Sequence, residues 1–408
     1  MTLRPSLERA GESVATWLRG LRGWRRFGVA FLSGAPSAFA FAPFGLFPLL
    51  LISFAVLVLL LDGAHSDTRP IWRSAVIGWA CGFGQFLVGL YWVAYAFLVD
   101  PLGHAWQIPF VALLFPGGLA IFIAAACAVA AWLWREGASR IFVFTAAYVF
   151  TEWLRGHILT GFPWNIPGYG WGASLAVLQS VSMFGVYGLS LLTTLFGASL
   201  ALLRDRGRTR LIPATMALLF VALWIGGVVR LGFNPTQPVS GVRLRLVQPN
   251  VPQDQKYLPS LRTAHWHQLL GLSVERKGPP PTHIIWPEAA PPFLLEHVPQ
   301  ALADIATLTD RSRVVMTGAA RAEYGADGKL VAHNSFYVFG FGGALLARYD
   351  KFHLVPFGEY VPFPQTLHTL GIDRLVNQPG SFSSGDGPRT YNVPGAPPVG
   401  PLICYEIL

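Results

Sequence analysis

The sequence predicts a multi-domain protein, an N-terminal all-α bundle of transmembrane helices followed by a C-terminal α/β domain. Three observations lead there. Hydrophobic residues make up 53% and charged residues only 12% of 408 positions, with a mean hydropathy of +0.46, which is wrong for a soluble protein of this length. Long apolar stretches fill the chain as far as Leu231, each near the roughly 20 residues that a helix needs to cross hydrocarbon. From Val242 onward, short β-type runs alternate with helical stretches and with turns rich in Pro and Gly.

Residues 1–26 read as a cytoplasmic tail carrying Arg19, Arg22, Arg25 and Arg26. The bundle, 27–231, divides into seven stretches near 27–42, 44–61, 72–98, 107–134, 138–156, 173–203 and 211–231. The first is short, is broken from the second by Pro43 and Gly45, and reads as an uncleaved anchor, because no polar mature terminus follows it. Arginines gather in alternate connections: the tail, the loop with Arg69 and Arg73, the loop with Arg135 and Arg140, and the loop with Arg204, Arg206, Arg208 and Arg210. Positive charge stays on the cytoplasmic side of short loops, so seven crossings deliver the rest of the chain to the periplasm. The formal charge of +9 is explained by these flanking residues and not by nucleic-acid binding, for which no basic patch with interleaved aromatics exists. Inside the bundle, Glu152 and Arg155 are expected to pair with each other, since an unpaired ionisable group is expensive at that depth. Phe162, Trp164, Tyr169 and Trp171 read as an interfacial aromatic belt, a candidate lining for a lipid entrance.

In the second domain, residues 242–408, strands are expected at Val242–Val247, His283–Trp286, Arg313–Thr317 and Ser335–Phe339, with helices at Leu258–Arg276 and Ala301–Ser312 between them. Three places deliver a reactive side chain to a strand end. Ile284-Ile285-Trp286-Pro287-Glu288 presents a carboxylate, and the aromatic and proline-rich run from Tyr349 to Pro362 presents Lys351. Leu402-Ile403-Cys404-Tyr405-Glu406 presents a thiol. Each alone is ordinary: a loop glutamate, a surface lysine, a buried cysteine. Together they supply what acyl chemistry on sulfur requires, a base for the thiol proton and a cation for the oxyanion. Cys81 and Cys127 lie in apolar runs and read as small hydrophobes, with no disulfide framework and no metal-spaced cluster. A Cys/His pair drawing on His265, His267, His283, His333 or His353 is the alternative plan, although none of these sits in a local motif.

With Trp286-Pro287-Glu288, the string Asp350-Lys351-Phe352-His353-Leu354-Val355-Pro356-Phe357-Gly358-Glu359 and Ile403-Cys404-Tyr405-Glu406, the chain resembles the apolipoprotein N-acyltransferases, the membrane branch of the nitrilase superfamily. The resemblance extends to Phe41-Ala42-Pro43-Phe44-Gly45, Gly161-Phe162-Pro163-Trp164-Asn165 and Val247-Gln248-Pro249-Asn250-Val251-Pro252-Gln253. It implies a nitrilase-like αββα catalytic domain in which Cys404 is the nucleophile, Glu288 the general base and Lys351 the oxyanion stabiliser. Glu359, Tyr405, Glu406 and Asn334 match supporting positions. Tyr257 stands where the family typically carries Trp. The implied reaction moves the sn-1 acyl chain of a phospholipid, commonly phosphatidylethanolamine, through a Cys404 thioester to the α-amino group of the diacylglyceryl-cysteine that begins an apolipoprotein. It needs no cofactor and takes place in the bacterial inner membrane. Family members continue past the cysteine with more of the α/β domain and an eighth membrane helix, so a sequence ending at Leu408 reads as truncated. Two other functions compete: a membrane-tethered nitrilase-type amidohydrolase with water as acceptor, and a non-enzymatic transporter or scaffold built on the helices.

Overall fold

The computed structural model describes residues 14–98, 101–205, 207–275, 278–324, 328, 330–356, 358–361, 363, 365, 369 and 382–407. Of the positions singled out above, the first 13 residues of the tail, Arg206, Arg276, Phe357, Pro362 and Leu408 lie outside the described residues. The chain divides into two compact units, Met1–Pro235 and Thr236–Leu408.

The first unit is helical, and each expected stretch is helical over most of its length. Its main helices are α1 (Gly23–Gly34), α2 (Phe47–His65), α3 (Pro70–Gly89), α4 (Ile108–Trp132), α5 (Ser139–His157), α6 (Val181–Ser199) and α7 (Ile212–Phe233). Among the described residues, four helical segments are long and apolar enough to cross a membrane: Phe47–His65, Leu102–Trp132, Val181–Arg204 and Gly207–Phe233. A fifth arises if α3 and the tight helix Tyr91–Leu98, bent from it by 47°, are counted as one span. The expected run 72–98 is therefore a broken helix. The remaining two stretches differ for local reasons. α1 has 12 residues before Pro36 tightens the chain into a 3-10 turn, and α5 carries Arg140, Glu152 and Arg155.

Close helix packing in lipid requires small side chains at the crossings. A Cβ on Gly78 of α3 would lie 2.7 Å from the Ile123 carbonyl and 2.6 Å from Cys127 Sγ of α4, so the two backbones meet where glycine permits it. Cys81 and Cys127 are buried among these helices as the small hydrophobes expected of them.

Polar pairings hold the bundle at two levels. At one end, Arg19 reaches Asp62 (3.1 Å) and Arg140 reaches both Asp62 (3.0 Å) and Asp205 (2.7 Å). Arg22 and Arg26 each lie 2.6 Å from Asp67. The residues before α1, at the end of α2, at the start of α5 and after α6 thus meet at one end, as alternating crossings require. Deeper in, Arg155 donates from Nε to Glu152 Oε1 (3.0 Å) and from Nη2 to Oε2 (2.7 Å), with both side chains essentially unexposed. Its Nη1 donates to the Phe162 carbonyl, and its guanidinium lies 5.0 Å from the Phe86 ring centre. The expected mutual pairing is therefore present, and the same arginine anchors the aromatic loop. In that loop Phe162 stacks with Trp164, while Trp171 lies buried against Phe47 and Phe220.

The second unit is a mixed five-stranded sheet with strand order β1-β2-β3-β4-β5: β1 (Leu244–Leu246), β2 (His283–Ile285), β3 (Val314–Tyr324), β4 (Leu330–Phe339) and β5 (Leu345–Asp350). β1, β2 and β3 run parallel and β3, β4 and β5 antiparallel. Helices α8 (Arg262–Val274) and α9 (Pro299–Leu308) pack on one face, where Trp266, Leu269, Ile305 and Leu308 meet Ile284, Trp286, Val315 and Phe339. Val314, Met316 and Val338 point to the opposite face with Val393, the two-residue alternation of a strand covered on both sides. β3 and β4 run several residues beyond their expected ends and β5 is an added strand. Their outer halves, rich in alanine and charge, have weak strand propensity and are held by the continuous antiparallel register from Val315↔Phe339 to Tyr324↔Leu330.

Neutralising one member of a buried ion pair strands the other, typically at about 3–5 kcal/mol. Glu152→Gln should therefore lower the detergent-solubilised protein's thermal midpoint by several degrees and loosen protease protection of the 161–171 loop. A melting profile equal to the wild type would remove the pair from any structural role.

Candidate active site

Glu288 and Lys351 stand just past the ends of β2 and β5, whereas the strand expected to lead into Cys404 is not formed: Val399 makes only an isolated bridge with Tyr391, and 400–403 run as irregular chain up to the thiol. β2 runs out at Ile285, and the chain is held to β3 by Trp286 N donating to Met316 O (2.8 Å) and Ala290 N donating to Gly318 O (3.1 Å). Between these two bonds the backbone bends at Ala289, with φ +47°, and Glu288 faces outward. The bend lies so close to β3 that a Cβ on Gly318 would stand 2.7 Å from Glu288 Cα. Gly318 is thus part of the site, although it lies one residue past the expected strand Arg313–Thr317 and nothing in the sequence singled it out.

On β4, Asn334 donates from Nδ2 to Glu288 Oε1 (2.6 Å) and to Glu359 Oε1 (3.3 Å), bridging the two carboxylates. Lys351 follows β5, fastened by its N–H to the Asn334 carbonyl (2.8 Å). Only 1% exposed, it places Nζ 2.7 Å from Glu359 Oε2 as an ion pair outside hydrogen-bond angles, which leaves the ammonium protons free of hydrogen-bond acceptors among the described residues. Glu359 is itself fixed by Val355 N–H donating to Oε2 (2.9 Å). One step back in the chain, Asp350 accepts from Arg321 Nη2 (2.8 Å) and Ser335 Oγ (2.6 Å). Burial would raise its pKa, yet these bonds and the arginine charge hold the carboxyl below the usual range.

Cys404 opens a 3-10 turn, Cys404–Ile407, with φ +52°, a left-handed conformation that costs a non-glycine residue about 1–2 kcal/mol. Strain of that kind persists where the surroundings impose it. Here Glu406 does so. Its Oε2 accepts from Ile403 N (2.9 Å), while Oε1 accepts from Phe352 N (2.8 Å), His353 N (3.2 Å) and the Tyr349 hydroxyl. The carboxylate therefore ties the thiol turn to the segment that follows Lys351. Tyr405 lays its ring 5.6 Å from that of His353 across the same junction. Glu406 is a positioning residue, a function that its place beside the cysteine did not reveal.

The thiol is exposed, and its pKa is raised: first by desolvation, then by the charge of Glu288 and, less strongly, of Glu359, with Lys351 and the Tyr405 N–H working the other way. The charges that act most strongly on it are those of Glu288, Lys351 and Glu359. His283 and His333 are bonded to the main-chain oxygens of Pro394 and Ser383. Tyr257, half exposed, lies near enough to Glu288 for that charge to add to burial in raising its phenol. Lys256, missed in the sequence, donates to the Glu288 carbonyl (3.4 Å). No group of three or more potential metal ligands occurs among the described residues.

Comparison with known proteins accounts for both units. The profile of the apolipoprotein N-acyltransferase N-terminal domain matches residues 33–199, and that of the carbon-nitrogen hydrolases matches 244–408. Over all of this chain, an apolipoprotein N-acyltransferase of Rhodopseudomonas palustris is 40% identical, with 78% of that protein covered. The chain belongs to the apolipoprotein N-acyltransferase family. Proteins of the same name from Bradyrhizobium diazoefficiens and Brucella melitensis are 42% and 39% identical over 97% and 95% of this chain, covering 75% of each. Membership makes the chain a membrane-associated acyltransferase acting on lipoproteins. It also explains why a carbon-nitrogen hydrolase fold, which handles acyl groups, is joined to apolar helices.

Two outcomes follow from the geometry. Gly318→Ala should push the Glu288 bend away from β3. A displacement of about 1 Å at a reacting group can cost about 100-fold in rate. N-acyltransfer should fall by that order while circular dichroism stays native; a fully active variant would show that the bend tolerates movement. The pH profile of Cys404 alkylation by iodoacetamide should have its midpoint above that of a free thiol. Glu288→Gln, which removes a negative charge, should lower that midpoint, and Lys351→Met, which removes a positive one, should raise it. Opposite signs would contradict the assigned neighbours.

Proposed function

We propose that the enzyme transfers the sn-1 acyl chain of a phospholipid, phosphatidylethanolamine above all, through a Cys404 thioester to the α-amino group of a diacylglyceryl-cysteine. What supports this reading is the convergence of Glu288, Lys351 and Glu359 on one exposed thiol. Cys404 Sγ attacks the ester carbonyl as its proton passes to Glu288. The buried Lys351 ammonium, already charged and held by Glu359, meets the oxyanion without reorganising. Collapse expels the lysophospholipid alkoxide, which takes the proton back from Glu288 and leaves the acyl group on sulfur. The amine of the second substrate then attacks the thioester, Glu288 accepts its proton, and collapse of the second oxyanion returns that proton to sulfur. The thioester divides one difficult transfer into two displacements. Asn334 keeps the Glu288 and Glu359 carboxylates apart and aimed, and Glu406 and Tyr405 hold the nucleophile turn in register with Lys351.

In this proposal residues 1–26 form a cytoplasmic tail, 27–231 a bundle in a bacterial inner membrane, and 242–408 a catalytic domain facing the periplasm. The arginine-rich connections, gathered at one end of the bundle by Asp62, Asp67 and Asp205, support that orientation.

Intact-mass analysis after incubation with phosphatidylethanolamine should show an acyl-sized increase in the wild type and none in Cys404→Ser. Removing a general base typically costs about 10²–10⁴-fold, so Glu288→Gln should accumulate the adduct slower by that range. An adduct retained by Cys404→Ser would overturn the nucleophile assignment. Release of free fatty acid with no transfer to a diacylated peptide would favour the amidohydrolase-like reading.

A further inference from the structure

A phospholipid donor carries a negative phosphodiester into a site already rich in carboxylate. Glu288 and Glu359 act on the thiol, and Glu406 lies two residues from it. The cation among them, Lys351, is 1% exposed and pairs with Glu359 at 2.7 Å, so its charge is buried and matched. Unless another cation stands near Glu288, the phosphate of the donor is repelled from the place where its ester must react.

Lys256 has the required properties. Its Nζ lies 3.4 Å from the main-chain oxygen of Glu288, and no ion pair among the described residues ties it to a carboxylate. It sits 5.7 Å from the ring centre of Tyr257, which supports the ammonium from below as a weak cation–π partner. A single long bond to a carbonyl leaves two ammonium protons for another acceptor. The side chain is half-buried, and desolvation lowers its pKa, with Glu288 opposing. Such a cation gains by meeting an anion.

We propose that Lys256 is the residue that receives the donor phosphodiester, holding the glycerol so that its sn-1 ester faces Cys404. This rests on the thioester reading above and deepens it. The second substrate joins its diacylglyceryl group to a cysteine sulfur and has no phosphate there. Lys256 therefore acts in the first half-reaction and is idle in the second, which gives the enzyme a means of telling donor from acceptor by charge.

The test uses the full-length enzyme in detergent and two acyl donors, phosphatidylethanolamine and p-nitrophenyl palmitate, the second without phosphate. Acyl-enzyme formation is followed by intact mass. For Lys256→Met, kcat/KM with the phospholipid should fall at least about tenfold further than with the p-nitrophenyl ester, the loss of a charged hydrogen bond. The deficit should lie mainly in KM, and Lys256→Arg should recover most of it. Equal loss with both donors would make Lys256 a support for the Glu288 bend only, and no loss with either would remove it from the site; both overturn the assignment. A wild-type enzyme that gains acyl mass from neither donor defeats the thioester reading itself, and is thereby distinguished from a failure of Lys256.

Discussion

Charge taken out of water must be met by opposite charge or by hydrogen bonds, and both units of this enzyme are organised around that requirement. In the bundle, Arg155 is buried at no exposure and is answered by both oxygens of Glu152. In the catalytic unit, Lys351 is buried to the same degree and is answered by Glu359. The two pairs serve different ends. Arg155 satisfies its charge fully and spends its remaining donor on the loop carbonyl of Phe162, so it is structural. Lys351 satisfies its charge by proximity alone, which leaves donors directed at no acceptor among the described residues.

The surroundings of Lys351 follow from the same requirement. Glu359 must remain ionised to hold the ammonium, and Asn334 and the Val355 N–H each donate to it. Asn334 also reaches Glu288, so one amide bridges the carboxylate that pairs with Lys351 and the carboxylate of Glu288. The thiol is then the last part to be placed. Its turn is strained, and Glu406 keeps it in position through four hydrogen bonds to both sides of the junction. Desolvation first, and then the charge of Glu288, raise the pKa of a thiol placed in this way.

Much of this was legible beforehand. Cys404, Glu288 and Lys351 were singled out as candidate reactive side chains, and the pairing of Glu152 with Arg155 was expected from the cost of an unpaired ionisable group at that depth. Other features were not. The run 72–98 is mostly apolar, yet the helix breaks after Gly89, because hydropathy records what a segment will dissolve in and not its backbone path. Gly318 carried no signal, because the Glu288 bend that it admits follows another strand.

The sequence by itself determined the two-part architecture and the family, and it marked the candidate reactive residues, because apolar length, strand alternation and the strings around Glu288, Lys351 and Cys404 are local properties of the chain. Tertiary structure alone decided which carboxylate pairs with the lysine and which faces the thiol. It also decided that Glu406 ties the thiol turn to the segment around Lys351, and that Lys256 stands beside Glu288. Those relations join residues tens of positions apart, from Lys256 to Glu288 and from Tyr349 to Glu406, and strand register and loop closure bring them within a few ångströms. No property of either residue alone encodes that distance.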